Sequence, residues 1–314
     1  MSKYFLGIDT SAYTTSMAVV DDNGSILSDI RKVLEVKKGK RGLRQQEAIF
    51  QHINNMPSMI DQLTKEIDLS KIVTVSASIK PRNIKDSYMP VFNVSKGQAY
   101  ILAKTLGVEY KEFTHQDGHI GAAFNKVKTP KEFLALHISG GTTELLYVKD
   151  NKRNYEIDIV GGSKDISAGQ LIDRIGVKLG MAFPCGKEME TYLENGEILK
   201  MKKPISTSGM EINFSGIETF LYRSMDGENK EDIIKTTFYC VGYSLVSILE
   251  NAIKRFNVKD VVIIGGVASN KYIRNIIHYN IGKDKAVNVI YPNIKYCTDN
   301  AVGIAYLGSV KRGI

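Results

Sequence analysis

The stretch FLALHISGGTTELLYV, residues 133–148, contains two apolar runs on either side of the polar turn Ser139-Gly140-Gly141-Thr142-Thr143. Short apolar runs that flank a glycine-containing turn predict a β-hairpin, here Phe133–Ile138 and Glu144–Val148. A third strand is predicted at Tyr155–Val160, after a turn at Asp150-Asn151. The middle of the chain therefore begins a sheet with three consecutive strands.

The same order opens the chain. Strands are predicted at Tyr4–Ile8, Ser16–Val20 and Ile26–Val33, with the polar turn Asp9-Thr10-Ser11 after the first and a hairpin turn at residues 21–24 after the second. Each half then continues as β-β-β-α-β-α, which predicts a duplicated α/β fold of two lobes. We expect the ligand in the crevice between the lobes.

Helices are predicted where the apolar residues recur at helical spacing. The first is Gln45–Ile67, with Ile49, Ile53, Met56, Ile60 and Leu63 facing the core, and the strand Lys71–Ile79 follows it. The remaining predicted elements belong to the second half and are helix Glu231–Phe256, strand Asp260–Ile264, helix Lys271–His278, strand Val287–Tyr291 and helix Asn300–Val310. The predicted lobes are residues 1–126 with 301–314, and residues 127–300.

The composition is typical of a globular protein, and its positive net charge permits an anionic partner. The 314 residues are 43% hydrophobic and 24% charged, and the formal net charge is +8. No apolar run is long enough to cross a bilayer, and the three cysteines are scattered, so we expect a cytoplasmic protein with no membrane partner and no disulfide framework. The densest basic stretch predicts a solvated loop, with a phosphate-contacting arm as the alternative, and comprises Lys37, Lys38, Lys40, Arg41 and Arg44.

Three turns have the composition of anion-binding loops. Glycine, serine and threonine leave backbone N–H groups accessible to phosphate, which suits Ser139–Thr143 and its counterpart Asp9-Thr10-Ser11. Gly265-Gly266 lies between a strand and a helix, where a flat ligand can approach the backbone, and Asn270 follows with an amide for a sugar or base edge. Each turn alone is typical of an ordinary tight turn, whereas three at corresponding places predict a nucleotide site.

A metal site is predicted at His115-Gln116-Asp117-Gly118-His119. On a helix, residues four apart lie on one face, so both imidazoles can reach one ion. Asp299, near the start of the last predicted helix, supplies a carboxylate as third ligand, and Cys297 is the rival ligand. Two histidines and one carboxylate leave coordination positions open, which is typical of a catalytic site and suits iron or zinc.

These segments, in this order, resemble the TsaD family, which makes the threonylcarbamoyl modification of the tRNA adenosine next to the anticodon. Eight segments are similar to family patterns: residues 7–11 to G-I-E-T-S, 115–119 to H-x-E-G-H, 138–143 to V-S-G-G-H-T and 165–174 to D-D-A-A-G-E-A-F-D-K. The other four are residues 184–186, similar to P-G-G, 214–219, similar to F-S-G-L-K-T, 265–270, similar to G-G-V-x-x-N, and 297–300, which match C-T-D-N. The resemblance covers nearly the whole chain. It implies an actin-like ATPase (ASKHA) fold of the Hsp70 and sugar kinase type.

The resemblance also implies the roles of individual residues. One divalent ion, iron or zinc, is held by His115, His119 and Asp299. The adenylate donor, threonylcarbamoyl-AMP, lies against His137, Ile138, Ser139, Gly140, Gly141, Asp173, Gly186, Gly265, Gly266 and Asn270, with Asp9 and Ser11 in the opening turn. The implied acceptor is tRNA, and the implied protein partner is a related subunit of the same fold or a second copy of the chain.

The chain departs from the family pattern around the acceptor. Tyr13 and Thr14 replace an acidic pair, and the other departures are Arg82, Thr142, Gln170, Arg174 and Glu218. Two alternatives therefore stand beside the tRNA transferase: a carbamoyl or acyl transferase with another acceptor, and a non-catalytic nucleotide-binding subunit. A metallopeptidase is disfavoured, because Asp117 does not occupy the glutamate position of the zinc-protease motif.

Overall fold

The computed structural model describes residues 2–11, 13–36, 43–200, 205–283 and 286–314. The chain divides into two compact units. Unit 1 comprises residues 1–131, 149–156 and 298–314, and unit 2 comprises residues 132–148 and 157–297. The predicted lobe boundaries, after residues 126 and 300, stay a prediction.

Unit 1 is built on a five-stranded sheet of order β3-β2-β1-β4-β5. The strands are β1 (Tyr4–Thr10), β2 (Thr14–Asp21), β3 (Ile26–Val33), β4 (Ile72–Lys80) and β5 (Glu109–Thr114). The first three pair antiparallel through hairpins, as their turn sequences predict, whereas β4 and β5 join in parallel after helical crossovers. Strand β5 was not predicted from the sequence.

In the described part of the unit, four helices cover this sheet: α1 (Gln45–Glu66), α2 (Phe92–Leu106), α3 (His115–Phe124) and α9 (Val302–Val310). The buried face of α1 is Ala48, His52, Met56, Met59 and Leu63. The prediction that Ile53 faces the core is wrong, because this side chain is 50% exposed and His52 takes the inward position. The basic stretch predicted as a loop lies outside the described residues except for Arg44, which is the N-cap of α1.

Unit 2 contains a seven-stranded sheet of order β12-β11-β6-β7-β8-β10-β9. Its central strands are β6 (Glu132–Ile138), β7 (Thr143–Asp150) and β8 (Tyr155–Ser163), and β11 (Asp260–Ile264) pairs with β6 in parallel. Short strands complete the edges: β9 (Thr207–Ser208), β10 (Glu211–Ile212) and β12 (Asn288–Ile290). The hairpin predicted from residues 133–148 is therefore the centre of this sheet.

The helices of unit 2 are α4 (Ala168–Lys178), α5 (Gly186–Glu190), α6 (Ser215–Ser224), α7 (Lys230–Phe256) and α8 (Lys271–Ile277). The first three lie between β8 and α7 and were not predicted, so the second half is longer than a plain β-β-β-α-β-α repeat. α7 is central to the core of the unit, where Phe238, Val241 and Leu245 are buried. In the part of the chain that the structure describes, no helix combines the length and the apolar character that a membrane crossing requires.

Candidate metal and nucleotide sites

Helix α3 brings the two candidate histidine ligands to one face. Its N-cap is Thr114, whose hydroxyl oxygen accepts from the Asp117 backbone N–H at 3.0 Å, while the Asp117 carboxylate accepts from the Thr114 backbone N–H at 2.9 Å. This reciprocal pair satisfies two N–H groups at the helix start and fixes where the helix begins. His115 and His119 then lie one turn apart, with ring centroids 4.5 Å from each other.

Glycines allow α9 to lie directly against α3. A Cβ on Gly303 would stand 1.8 Å from the Gly118 carbonyl oxygen, and one on Gly121 would stand 2.9 Å from the Gly303 oxygen. Only glycine permits backbones to approach this closely. Asp299 lies just before α9 rather than at the predicted helix start, and the close contact of the two helices brings it to the histidines.

The three predicted ligands form one cluster within unit 1. One ligand atom from each of His115, His119 and Asp299 lies within 4.8 Å of the others. Asp299 Oδ1 is 3.4 Å from His115 Nε2 and 3.5 Å from His119 Nε2. Among the described residues, this is the group of histidine, cysteine and carboxylate side chains with the arrangement of a metal site.

The end of β1 and the turn after it lie against this cluster. Asp9 is fully buried, and its Oδ1 lies 2.8 Å from His115 Nδ1. Ser11 Oγ donates to Asp299 Oδ2 at 2.8 Å. In the neutral ring, a carboxylate on Nδ1 favours the tautomer whose Nε2 carries the lone pair, which is the atom that a metal ion would bind.

Carboxylates set the electrostatics of the cluster. Burial lowers the pKa of His115, but Asp9 and Asp299 outweigh it and raise the pKa to about 10. Burial raises the pKa of Asp299, whereas its hydrogen bonds with His115 and His119 outweigh that effect and hold the pKa well below its usual range. Burial raises the pKa of Asp117 to about 6 despite its bonds from Thr114. The carboxylates of Asp9 and Asp299 therefore stabilise positive charge at His115.

In unit 2, the predicted glycine turn lies against the start of α4. Ser139 N–H donates to the Thr142 carbonyl at 2.8 Å, which closes the turn. The Ser167 hydroxyl donates to the Gly140 carbonyl at 2.8 Å, and a Cβ on Gly169 would stand 2.5 Å from Gly140 Cα. A Cβ on Gly140 or on Gly141 would meet nothing within 4 Å. The turn is thus held from one side and leaves space beside both glycines.

The second glycine turn of unit 2 adjoins the first. Gly265 has φ +97°, and a Cβ there would stand 2.3 Å from the Ile138 carbonyl oxygen, so this position requires glycine. Ile264 pairs with His137 across β11 and β6, which brings the two turns to the same strand ends. A Cβ on Gly266 would meet nothing within 4 Å.

Two other residues of unit 2 that are predicted to bind the adenylate, Asn270 and Asp173, make hydrogen bonds within the fold. Asn270 is the N-cap of α8, and its Oδ1 accepts from the Ile273 N–H at 2.9 Å. Asp173 Oδ1 accepts from the Cys185 N–H at 2.8 Å, next to Gly186, and burial raises the pKa of Asp173. In each of these two side chains, one oxygen therefore accepts a hydrogen bond from a backbone N–H group.

Three residues that depart from the family pattern, Gln170, Arg174 and Glu218, make side-chain contacts in the structure. Gln170 Oε1 accepts from the Ser167 N–H at 3.1 Å, so glutamine keeps the capping function that glutamate would have at this position. Arg174 and Glu218 form an ion pair at 3.2 Å. Tyr13 is 40% exposed, and Thr14 is buried. Cys297, the rival metal ligand, is buried and lies 3.0 Å from Arg274.

Sequence reasoning missed His52 and Ser167. The motif Ser167-x-x-Gln170 is a capping box and was a usable signal for the start of α4. His52 gave no comparable signal, because a lone histidine on a helix face resembles any buried histidine.

Comparison with known proteins places these features in context. Residues 25–306 match the family model of TsaD, tRNA N6-adenosine threonylcarbamoyltransferase. The protein of that name from Thermosipho africanus (strain TCF52B) is 31% identical over 328 residues, covering 98% of this chain and 95% of that protein. The one from Fusobacterium nucleatum subsp. nucleatum is also 31% identical, covering 96% and 89%.

Solved structures confirm the predicted actin-like ATPase fold. HypF from T. kodakarensis matches with a TM-score of 0.63 and 15% identity, covering 98% of this chain and 48% of that one. Component A of (R)-2-hydroxyglutaryl-CoA dehydratase from Acidaminococcus fermentans gives 0.57 and 16%, covering 98% of both chains. A ROK family glucokinase from Streptomyces griseus gives 0.54 and 10%, covering 99% of both. At these identities the likeness concerns the fold alone.

Proposed function

This chain belongs to the TsaD family of tRNA N6-adenosine threonylcarbamoyltransferases, and from this premise we propose that it transfers a threonylcarbamoyl group from threonylcarbamoyl-AMP to N6 of the tRNA adenosine next to the anticodon. The observation that carries the proposal is the cluster of His115, His119 and Asp299 in a chain of this family.

The cluster suits one divalent ion. Two imidazole nitrogens and one carboxylate oxygen form a donor set that iron and zinc accept, and three protein ligands leave positions open for oxygen atoms of a substrate. The bond between Asp9 and His115 Nδ1 supports Nε2 as the donor atom. A bound ion would supply a Lewis acid that can polarise a carbonyl or phosphoryl oxygen.

The adenylate donor is proposed to bind at the glycine turns of unit 2. The space beside Gly140, Gly141 and Gly266 supports this proposal, because a ligand can approach the backbone there without meeting a side chain. Backbone N–H groups of such turns bind phosphate oxygens. Asp173 keeps one carboxylate oxygen, Oδ2, for a ribose hydroxyl while Oδ1 accepts from Cys185.

The proposed reaction is acyl transfer with a balanced exchange of bonds. The N6 nitrogen of the adenosine forms a bond to the carbamoyl carbon, and the bond from that carbon to the phosphate oxygen breaks. AMP leaves with the electron pair, and N6 loses one proton. Backbone N–H groups that hold the phosphate stabilise the charge that develops on it.

A second candidate is transfer of the same group to a different acceptor. Tyr13 and Thr14 replace two carboxylates of the family pattern, and Arg174 pairs with Glu218 where that pattern has two lysines. These changes alter the charge at positions assigned to the acceptor, while the residues proposed to bind the metal and the adenylate donor remain. This pattern favours a changed acceptor over a loss of donor binding. A non-catalytic subunit is less favoured, because it has no use for a set of metal ligands.

The test separates metal, donor and acceptor. We expect purified protein to contain about one iron or zinc ion per chain by elemental analysis, and His119→Ala to contain little. With synthetic threonylcarbamoyl-AMP and unmodified tRNA, we expect the modified nucleoside by mass spectrometry of the digested tRNA. Donor consumption without modified tRNA would support the other acceptor, and neither metal nor donor consumption would contradict both enzymatic functions.

In cells, deletion of the gene gives an independent test. Loss of the modified nucleoside from tRNA, restored by the wild-type gene and not by His119→Ala, is the expected result. Persistence of the modification in a cell that encodes a second family member would argue against the tRNA assignment.

A further inference from the structure

His52 is a fully buried histidine in the middle of α1, outside the set of proposed metal ligands. Both ring nitrogens have partners: Nδ1 lies 2.8 Å from Thr15 Oγ1, and Nε2 lies 2.9 Å from the Ser11 carbonyl oxygen. A buried imidazole fixed at both ends holds its two partners at a set separation.

The partners determine which nitrogen carries the proton. The Ser11 carbonyl only accepts, so His52 Nε2 donates to it, and Nδ1 then accepts from the Thr15 hydroxyl. Asn55 Nδ2 donates to the same hydroxyl oxygen at 3.0 Å, which completes its bonding. Burial lowers the pKa of His52, in keeping with a neutral ring.

Ser11 links this histidine to the proposed metal site. Its hydroxyl donates to Asp299 Oδ2 at 2.8 Å, and its backbone N–H donates to Asp9 Oδ2 at 3.2 Å. Asp9 in turn contacts His115. The position of one buried serine therefore affects two of the three proposed ligands, and His52 holds the carbonyl of that serine.

We propose that His52 is a positioning residue for the metal site, which acts by fixing Ser11 so that its hydroxyl orients the carboxylate of Asp299. The inference rests on the proposed metal binding by His115, His119 and Asp299. Asp299 precedes α9 and is outside any helix, so its carboxylate depends on side-chain partners for orientation. Partners one bond removed from a metal ligand change metal affinity by roughly 10–100-fold when they are lost.

The alternative is a histidine that only stabilises the core. A purely structural role predicts that replacement lowers the melting temperature and leaves metal affinity unchanged in the protein that remains folded. A positioning role predicts weaker metal binding than the loss of stability explains. Metal affinity and stability must therefore be measured on the same variants.

The experiment compares His52→Leu, His52→Gln and a control on the same helix. Met59 is fully buried on α1 in the apolar core of unit 1, so Met59→Ala leaves a cavity there and lowers stability. Metal-free full-length protein is titrated with Zn²⁺ against a chromophoric chelator, and Co²⁺ absorption reports the ligand geometry. We expect about 10-fold weaker Zn²⁺ binding and an altered Co²⁺ spectrum for His52→Leu.

The conservative variant and the control sharpen the result. The amide nitrogen of glutamine reaches the place of Nε2, so His52→Gln should bind Zn²⁺ within a few-fold of wild type. Met59→Ala should bind as wild type does, at a lowered melting temperature. Should His52→Leu not fold, Ser11→Ala removes the bond to Asp299 directly and should weaken Zn²⁺ binding about 10-fold.

The outcomes separate this inference from the proposed function. Wild-type protein that binds neither Zn²⁺ nor Co²⁺ overturns the metal site itself. Wild-type protein that binds, together with His52→Leu and Ser11→Ala variants that bind equally well, overturns only the role of His52. Equal weakening by Met59→Ala also overturns it, because stability would then account for the effect.

Discussion

Asp9, near the end of β1, makes two contacts with its buried carboxylate. Its Oδ1 meets His115 and its Oδ2 accepts from the Ser11 backbone, so it orients both a proposed ligand and the serine beside another. The turn sequence predicted anion binding, and the structure adds these contacts, which depend on a histidine 106 residues away.

The first prediction concerns this carboxylate. Asp9→Ala should weaken Zn²⁺ binding by roughly 10–100-fold, because His115 loses the partner that fixes its tautomer. Asp9→Asn keeps an oxygen acceptor and should lose less. Competition titrations with a chelator measure both constants, and wild-type affinity in Asp9→Ala would contradict the proposed arrangement.

Asp165 supports a second prediction, on stability. Its carboxylate accepts from the backbone N–H groups of Ile166, Phe214 and Ser215. Burial raises its pKa, but these bonds outweigh that effect and lower the pKa to about 2. Because the side chain is exposed, solvent screens the charge, and we expect Asp165→Asn to destabilise by about 1 kcal/mol at pH 7.

The pH dependence follows from the sign of this shift. A lowered pKa in the folded state means that the stabilisation is present above the ordinary carboxyl pKa and is lost as the pH falls through about 2. Urea unfolding at pH 7, 4 and 3 should therefore give a difference in unfolding free energy between wild type and Asp165→Asn that is smallest at pH 3. A difference that grows on acidification would contradict this origin.

The contact between helices α3 and α9 brings the proposed metal ligands together. Gly118, Gly121 and Gly303 let the backbones approach, and the approach brings Asp299 to the histidines. The sequence predicted the histidine pair from its spacing. It gave no means to predict that these glycines meet across 182 residues, since a glycine in a helix has many explanations.

The third prediction tests this contact. Gly303→Ala places a methyl group where the Gly118 carbonyl oxygen stands, so we expect a loss of about 3 kcal/mol in unfolding free energy and weaker metal binding. Gly97→Ala in α2 is the matched control, because a Cβ there meets nothing within 4 Å. That change should stabilise by about 0.5–1 kcal/mol. Denaturant unfolding compares the two, and equal stability would contradict the close packing.

Helix faces show why sequence prediction was incomplete at this scale. In α1, apolar periodicity placed Ile53 inward, whereas the structure buries His52 and leaves Phe50 67% exposed. A buried imidazole becomes acceptable once Thr15 and Ser11 satisfy both ring nitrogens, and those partners lie in other elements. Periodicity cannot register such pairing.

The duplicated plan of the chain was predictable because strand and turn signals are local. The second half carries α4, α5 and α6 between its third strand and its long helix, and their short or mixed apolar patterns did not distinguish them from loops. The glycine turns were found because their composition is unusual, while the use of Asn270 and Asp173 as backbone partners depends on tertiary contacts.

The fourth prediction uses the cysteines as reporters of global unfolding. Cys185, Cys240 and Cys297 are buried, and burial raises the pKa of Cys185 to about 11 and that of Cys240 to about 12. A thiol-specific chromogenic disulfide at pH 8 should label native protein only slowly and label three thiols per chain in denaturant. Rapid labelling of the folded protein would contradict the burial of these side chains.

The return of residues 298–314 to unit 1 has a consequence during protein synthesis. α9 packs so closely on the first strand that a Cβ on Gly7 would stand 2.4 Å from the Ala305 nitrogen. At about 5–20 residues per second, a ribosome needs roughly 10–40 s to proceed from His119 to Asp299. During that interval the first sheet lacks one of its covering helices and the proposed metal site lacks its carboxylate, so all three proposed ligands become available to an ion only after residue 299 has been made.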